Sequence, residues 1–330
     1  MSVGVVVIGR NEGERLLRCL RSVLPRAHAA VYADSGSSDG SAERARALGA
    51  EVVELDGSAP HTAARGRNAG FERLLHAHPE VELVQVVDGD CEVQAGWLEA
   101  AAEFLASHPD VAVVCGRRRE RFPEASVWNQ LADVEWDTPV GETTSCGGDA
   151  LIRASAWRRA GGYDPRLIAG EDPEFCWRIR GQGGRIVRLD REMTLHDAAL
   201  TRIGQWWRRQ ARSGHAFAQT VWRHRDAPDP QRLRRLASLA FWGGVWPAAC
   251  LVFAWPTSGA SLLGLLAFTW PFSRAYRDAR PRWSARVSAL WAAACVVGKI
   301  AELQGALTFA ANHGLRGRET ALIEYKGPGA

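Results

Sequence analysis

The sequence predicts an α/β protein: a mostly parallel, Rossmann-like sheet flanked by helices, followed by an apolar helical region. Three observations lead there. Short β-branched runs alternate with helix-period segments through residue 116. Carboxylates close two of those runs, at Asp34 and Asp88. Finally, the stretch from Leu236 to Ser273 contains no Asp, Glu, Lys or Arg.

The elements follow in order. "VGVVVIG" precedes a helix over Glu14–Leu24, and "AAVYAD" precedes one over Ser41–Leu48. "EVVEL" leads to Thr62–His76, "ELVQVV" to Ala95–Ser107, and "VAVVCG" closes the series. Runs that are apolar throughout, rather than alternating, are strands covered on both faces, which implies parallel pairing and right-handed crossovers. Ligands of such sheets lie beyond the carboxyl ends of the strands, where Asp34 and Asp88 fall. From residue 117 the pattern becomes irregular and reads as the substrate-facing half of the same domain; one more strand, "GRIVRL", is expected to end near Leu189.

Nearly half of the 330 residues are apolar, so a sizeable core is available and disorder is excluded. The net charge of +4 conceals an asymmetry. Residues 1–200 hold 23 Lys/Arg against 31 Asp/Glu, whereas residues 201–330 hold 18 against 6. On charge alone, the basic third suits a phosphate-bearing partner, anionic lipid or nucleic acid. The seven cysteines are scattered without a CxxC pair, which fits reduced thiols in the cytosol. The start, "MSVGVVVIGRNEGER", lacks a basic head and has too short an apolar run for a secretory signal, so it is expected to stay cytosolic.

The uncharged stretch fits a helical hairpin over about 236–273, broken at Pro256–Gly259. Arginines flank both ends, placing both on the cytoplasmic side. The hairpin reads as spanning, as re-entrant, or as an apolar interface in a soluble protein. Residues 285–311 form a further helix, interrupted by Lys299 and Glu302, expected to lie at the interface. The domain division is therefore 1–225, catalytic, and 226–330, helical and membrane-associated.

Three motifs carry chemistry. In "YADSGSSDGS" the local turn chemistry is sound, with Asp39 or Ser41 capping the next helix, yet it leaves the acid at Asp34 unexplained; a carboxylate there can accept the N–H groups of a nucleobase. No GxGxxG or GxxxxGK[ST] is present, so phosphates are not cradled by backbone amides and a cation is needed. Asp88-Gly89-Asp90 supplies hard oxygen ligands for Mg²⁺ or Mn²⁺, although Asp-Gly-Asp is also a good turn. In "GEDPEFCWRIRGQGGRIVRL", Asp172 reads as a helix N-cap with Pro173 at the first position. His196 falls just past a strand.

Taken together, "VVVIGRNEGERLLRCLRSV", "DSGSSDGS", "ARGRNAG", "VVDGDCEV", "GGDALIRASAWRRAGGYD" and "GEDPEFCWRIRGQGGRIVRL", in this order, resemble the inverting family-two glycosyltransferases of the GT-A fold over residues 3–225. The resemblance implies a nucleotide-diphosphate-sugar donor, a divalent metal and direct displacement at the anomeric carbon. It implies that Asp34 and Asp39 hold the base and ribose side, with Arg67 and Asn68 lining that pocket. Asp88 would reach the ribose or the metal, Asp90 the metal, and His196 would be a later metal contact. Asp172 would be the general base, with Glu171 second to it. "GQWWRRQARSGHAF" resembles the amphipathic segment of membrane-attached members, with Glu171, Gln205, Arg208, Arg209 and Arg212 as further diphosphate or acceptor contacts and Trp206 and Trp207 packing on the acceptor or the membrane. It lacks the closing Trp of the processive Gln-x-x-Arg-Trp pattern, so processive synthesis is not expected.

The expected activity is metal-dependent, inverting sugar transfer to a lipid-linked or other glycan acceptor at the cytosolic face of the cell membrane. Nucleic acid is not an expected partner. Two rivals differ in kind: a retaining transferase or nucleotidyltransferase on a related sheet, and a nucleotide-sugar-binding membrane scaffold without turnover.

Overall fold

A computed structural model describes residues 1–226 and 229–315. The tail "RGRETALIEYK", similar to the tails of lipid-associated members of the family, lies outside the described residues. The chain divides into two compact units, one of residues 1–122 with 135–198, the other of 123–134 with the described residues from 199 to 315.

The first unit is built on a nine-stranded sheet. Strands β1 (Val3–Gly9), β2 (Ala29–Asp34), β3 (Glu51–Glu54) and β4 (Leu83–Asp88) are parallel, in the order β3-β2-β1-β4. Helices α1 (Glu14–Val23), α2 (Ser41–Ala47), α3 (Ala63–Ala77) and α4 (Trp97–Ser107) fall within a residue or two of the expected spans. β1 is buried through its centre, and α1 covers it with Leu16, Leu17, Leu20 and Val23, the spacing of one helical face.

The sheet departs from the parallel pattern beyond β4. After the short β5 (Cys91–Val93) and the long β6 (Val111–Glu120), strand β8 (Ala150–Arg153) enters antiparallel between β4 and β6. Four residues with one Arg gave β8 too little pattern to be seen in sequence. β9 (Arg185–His196) runs parallel to β6 and antiparallel to β5 and β7 (Gly141–Glu142). It continues well past Leu189, because a bulge carries the polar Asp190–Glu192 and the strand resumes at Met193. His196 is therefore the last residue of a strand instead of following one. Gly116 permits the bulge: a Cβ there would lie 2.7 Å from the Arg191 carbonyl and 2.8 Å from Met193 Cβ. Helices α6 (Ala154–Ala160) and α7 (Glu171–Gly181) complete the series, and α5 (Val127–Trp136) belongs through residue 134 to the second unit.

The second unit is helical. α8 (Ile203–Arg223) packs along α12 (Ala285–Ala310) and approaches it most tightly at two glycines: a Cβ on Gly214 would sit 1.9 Å from the Glu302 carbonyl oxygen, and one on Gly305 1.8 Å from that of Ala211. The hairpin's first arm is α9 (Pro230–Ala240), a π turn at Phe241–Val245, and α10 (Trp246–Val252). Its break spans residues 253–259. The second arm, expected as one helix, is instead a 3₁₀ stretch (Ala260–Phe268) followed by α11 (Thr269–Ala279). Pro230–Val252 and Ala285–Gly314 are each long and apolar enough to cross a membrane, with the same mean hydropathy of 1.3. By length and composition α12, expected at the interface, is thus equal to the first arm.

Candidate active site

The site lies at the carboxyl ends of β1, β2 and β4. Two loops are tied together there. Asp34 closes β2 and accepts hydrogen bonds from Tyr32 Oη (2.7 Å) and from the amides of Gly36 (3.0 Å) and Ser37 (2.8 Å), so its carboxylate is the anchor of the turn. Asn11, in the loop after β1 with φ of 56°, accepts from the Ser38 amide at 2.8 Å, while its own amide donates to Ser37 Oγ at 2.9 Å. Asp39 accepts from Ser41 N and Oγ and from Gly13 N. Burial opposes its charge, but these hydrogen bonds outweigh it and hold the carboxyl below its ordinary range. Asp34 and Asp39 thus frame the two loops. Sequence reasoning missed Asn11; its sequence signal was an Asn just past a strand end, a residue type that tolerates the left-handed region.

Arg67 is the centre of the site. It lies on the stripe of α3 that faces the sheet, with Ala64, Phe71 and Leu74, and is only 2% exposed. Gly70 lets α3 approach: a Cβ there would lie 2.3 Å from Val6 Cγ1. A guanidinium so placed needs anions around it. It donates to Asp88 Oδ1 at 3.0 Å and to Glu171 Oε1, and pairs with Asp172 Oδ1 at 3.1 Å. One side chain therefore joins the DGD and ED motifs, which are far apart in sequence. Gly148 completes the fit, since a Cβ there would lie 2.5 Å from Arg67 Nη2 and 2.9 Å from Asp88 Oδ2. Asn68, the neighbour expected to line the same pocket, has its amide committed to the backbone of Tyr163 by two 2.8 Å hydrogen bonds.

The positive partner that the sequence demands for Asp88 is a pair of arginines. Arg118 Nη2 donates to Asp88 Oδ2 at 2.8 Å, Arg118 Nε lies 3.1 Å from Asp149 Oδ2, and the guanidinium stands 5.1 Å from the Trp136 ring centre. Asp149, fully buried, also accepts from Thr194 Oγ1 (2.7 Å) and from the Asp88 amide (3.2 Å). Sequence reasoning assigned neither Arg118 nor Asp149 a role. The available signals were an arginine run closing a buried strand and an acid directly before "ALIR".

Both Asp88 oxygens face arginines, while Asp90 and His196 beside it form, among the described residues, one group that fits a divalent cation. Asp90 Oδ2 lies 3.2 Å from His196 Nε2, both residues are buried, and the β5–β9 register sets His196 opposite Cys91. Trp136 meets the imidazole edge-on at 4.6 Å. A carboxylate oxygen with an imidazole nitrogen suits Mn²⁺ better than Mg²⁺, which favours an all-oxygen shell. Cys91 Sγ is close by, its pKa driven well up by burial.

Asp172 is not the helix cap expected of it. Gly170 is the N-cap residue of α7, placing Glu171 and Asp172 in the first turn, where the helix N-terminus favours anions. Among the described residues its ion pair is with Arg67, and no backbone amide of the helix takes its carboxylate. Burial pushes the Asp172 carboxyl up to about 8; Arg67 and Arg118 pull it down, while Glu171 and Asp88 add to the push. Of the remaining expected contacts, Gln205, Arg208, Arg209 and Arg212 lie on α8 in the second unit. Gln205 Oε1 caps that helix, accepting from the amides of Thr201 (2.8 Å) and Arg202 (3.0 Å). Trp206 stacks on Trp128 at 5.1 Å, and Trp207 donates to Gln304 Oε1 at 2.7 Å, so both indoles are used in packing the helical unit.

This mixed sheet with acids gathered at its strand ends is shared with known proteins of one class, the glycosyltransferases. Residues 4–147 match the family described as Glycosyl transferase family 2; the chain carries a family-two glycosyltransferase domain and is a glycosyltransferase. It is 27% identical over 267 residues to the succinoglycan biosynthesis protein ExoA of Rhizobium meliloti (strain 1021), covering 72% of this chain and 79% of that one. It is 29% identical over 241 residues to a pre-mycofactocin glycosyltransferase of Mycobacterium tuberculosis (strain CDC 1551 / Oshkosh), covering 69% of this chain but only 49% of that longer protein. Among solved structures it is similar to the mannosyltransferase PcManGT from Pyrobaculum calidifontis in complex with GDP-Man and Mn²⁺, with a TM-score of 0.59 and 20% identity over 91% of this chain and 86% of the other. The fold is GT-A.

Proposed function

We propose that the chain transfers a sugar from a nucleotide-diphosphate sugar to an acceptor hydroxyl, with inversion at the anomeric carbon and one transfer per encounter. The observation that carries this reading is the convergence of Asp88 and Asp172 on Arg67 at the strand ends, beside Asp90 and His196. Asp172 is the base: its carboxylate takes the proton of the acceptor hydroxyl as that oxygen attacks. Glu171 is the poorer base because it is buried and already accepts from Arg67. The loops framed by Asn11, Asp34 and Asp39 receive the nucleotide end of the donor, with Arg67 beside them, while Asn68 supports that pocket through its hydrogen bonds to Tyr163. Asp90 and His196 would hold Mn²⁺ or Mg²⁺, and such an ion supplies neutralisation of the leaving diphosphate.

The acceptor is a lipid-linked glycan and the site faces the cytosol. Supporting this are the charge-free hairpin flanked by arginines, the exposed apolar side chains along it, and the polysaccharide-biosynthesis name of one relative. Members with this family domain and relatives named as transferases speak against a scaffold without turnover.

The test is to incubate the full chain with UDP-, GDP-, dTDP- and CDP-sugars and a lipid-linked glycan acceptor, measuring released nucleotide and the anomeric configuration of the product. Release of nucleotide diphosphate with inverted configuration is expected. Release of pyrophosphate would mark a nucleotidyltransferase, and retained configuration would overturn the inverting reading.

A further inference from the structure

A cavity of about 200 Å³ opens in the helical unit where the hairpin meets α12. Its walls divide by chemistry. Trp242, Phe268 and Val296 form an apolar side, and Arg274, Asp278 and Lys299 a charged rim. Arg274 is the first charge after the charge-free run. The rim therefore stands at the hairpin's base and the apolar wall at the start of its arms. Trp242 lies 5.4 Å from Phe268 and 6.2 Å from Trp270, an aromatic cluster at the same level, where amphipathic rings gather at a membrane–water boundary.

The rim's charges differ in availability. Lys299 Nζ is 3.0 Å from Glu302, whereas Arg274 makes no hydrogen bond or ion pair among the described residues. An exposed, unspent guanidinium beside an apolar wall suits a phosphate attached to hydrocarbon. Asp278 on the same rim repels free phosphate and accepts hydroxyl donors, favouring a phosphodiester whose headgroup carries hydroxyls. The volume holds a phosphate and its first methylenes, and is below the usual size of a site for a sugar diphosphate.

We propose that this cavity binds the headgroup of an anionic phospholipid of the phosphatidylglycerol type, with its phosphate on Arg274 and its chain roots on Trp242, Phe268 and Val296. The lipid fixes the hairpin at the membrane surface. The inference rests on the membrane association proposed above.

Two measurements on the full chain separate the two ideas. Thermal unfolding in detergent is followed during titration with short-chain phosphatidylglycerol, phosphatidylcholine or inorganic phosphate. Phosphatidylglycerol is expected to raise Tm saturably and the other two not to. Arg274→Glu should raise the half-saturating concentration about tenfold or more, while Arg277→Glu, on the same helix but outside the cavity, leaves it unchanged. Equal loss in both variants would reduce the effect to general surface charge, and equal response to phosphatidylcholine would remove the headgroup selection; either result overturns the site. Flotation with vesicles of each lipid tests the underlying reading: a chain that floats with neither is not membrane-associated.

Discussion

At Asp172 the sequence offers two roles, helix cap and catalytic base, and the structure separates them. Because Gly170 caps α7, the carboxylate is spared from the backbone and faces Arg67. Asp172→Asn is expected to lower kcat by about a thousandfold while leaving nucleotide affinity near that of the parent, measured by turnover and calorimetry. The pH dependence has a defined sign. A base must be ionised, so kcat/KM should rise with pH along an acidic limb centred near 8, the value to which burial pushes this carboxyl. Arg67→Ala removes the charge that favours ionisation, so that limb should move to higher pH. The same change leaves the buried Glu171 and the half-buried Asp88 and Asp172 without their shared cation and should cost about 3 kcal/mol of stability, read from denaturant unfolding. Asp34, Asp88, Asp90 and Asp172 stood out as candidates because acids at strand ends and an ED pair before a helical pattern are visible in sequence, whereas His196 was reached only through the family resemblance. Arg118 and Asp149 did not stand out, since what gives them meaning is contact across a sheet.

At the scale of elements, the strands and helices of the first four crossovers were readable from period and composition alone. The elements that were missed or shortened share a physical cause. β8 is four residues, β5 three, and the second half of β9 follows a polar bulge, so none offers enough apolar pattern to be seen without its partners. α3 shows how an element serves the site: one sheet-facing stripe seats both the core side chains Phe71 and Leu74 and the guanidinium of Arg67. The α8–α12 contact is set by glycine on both sides. Gly305→Leu should force the helices apart, lowering the stability of the helical unit by about 3 kcal/mol. Limited proteolysis should then cut α8 and α12 first; unchanged protection would show that the contact does not hold the unit together.

For the whole molecule, ion binding and proton balance give further expectations. His196→Ala and Asp90→Asn should each weaken Mn²⁺ affinity about tenfold or more, measured by calorimetry in the presence of nucleotide diphosphate; unchanged affinity would place the ion elsewhere. Asp172 also contributes to stability against pH. Its folded-state pKa, about 8, exceeds the unfolded value of about 4, so the native state binds more protons in that window and the contribution of this group falls as pH rises through it. The uncharged stretch and the apolar run after it pointed to C-terminal helices. They did not foretell the irregularity of those helices, because a π turn and a 3₁₀ arm follow from packing among glycines and tryptophans that composition does not order.

The insertion of β8 between β4 and β6 also dictates when the site can exist. While the chain is being made, β4 has an open edge until residue 150 has emerged, and the Asp88 amide waits for Asp149. The family match ends at residue 147, just short of Gly148 and Asp149. The matched stretch is therefore a recognisable text but not a self-sufficient body. A fragment ending at 147 should expose a long apolar strand edge and aggregate on synthesis, whereas one extended to residue 198 closes the sheet; partition between soluble and pelleted material would show it.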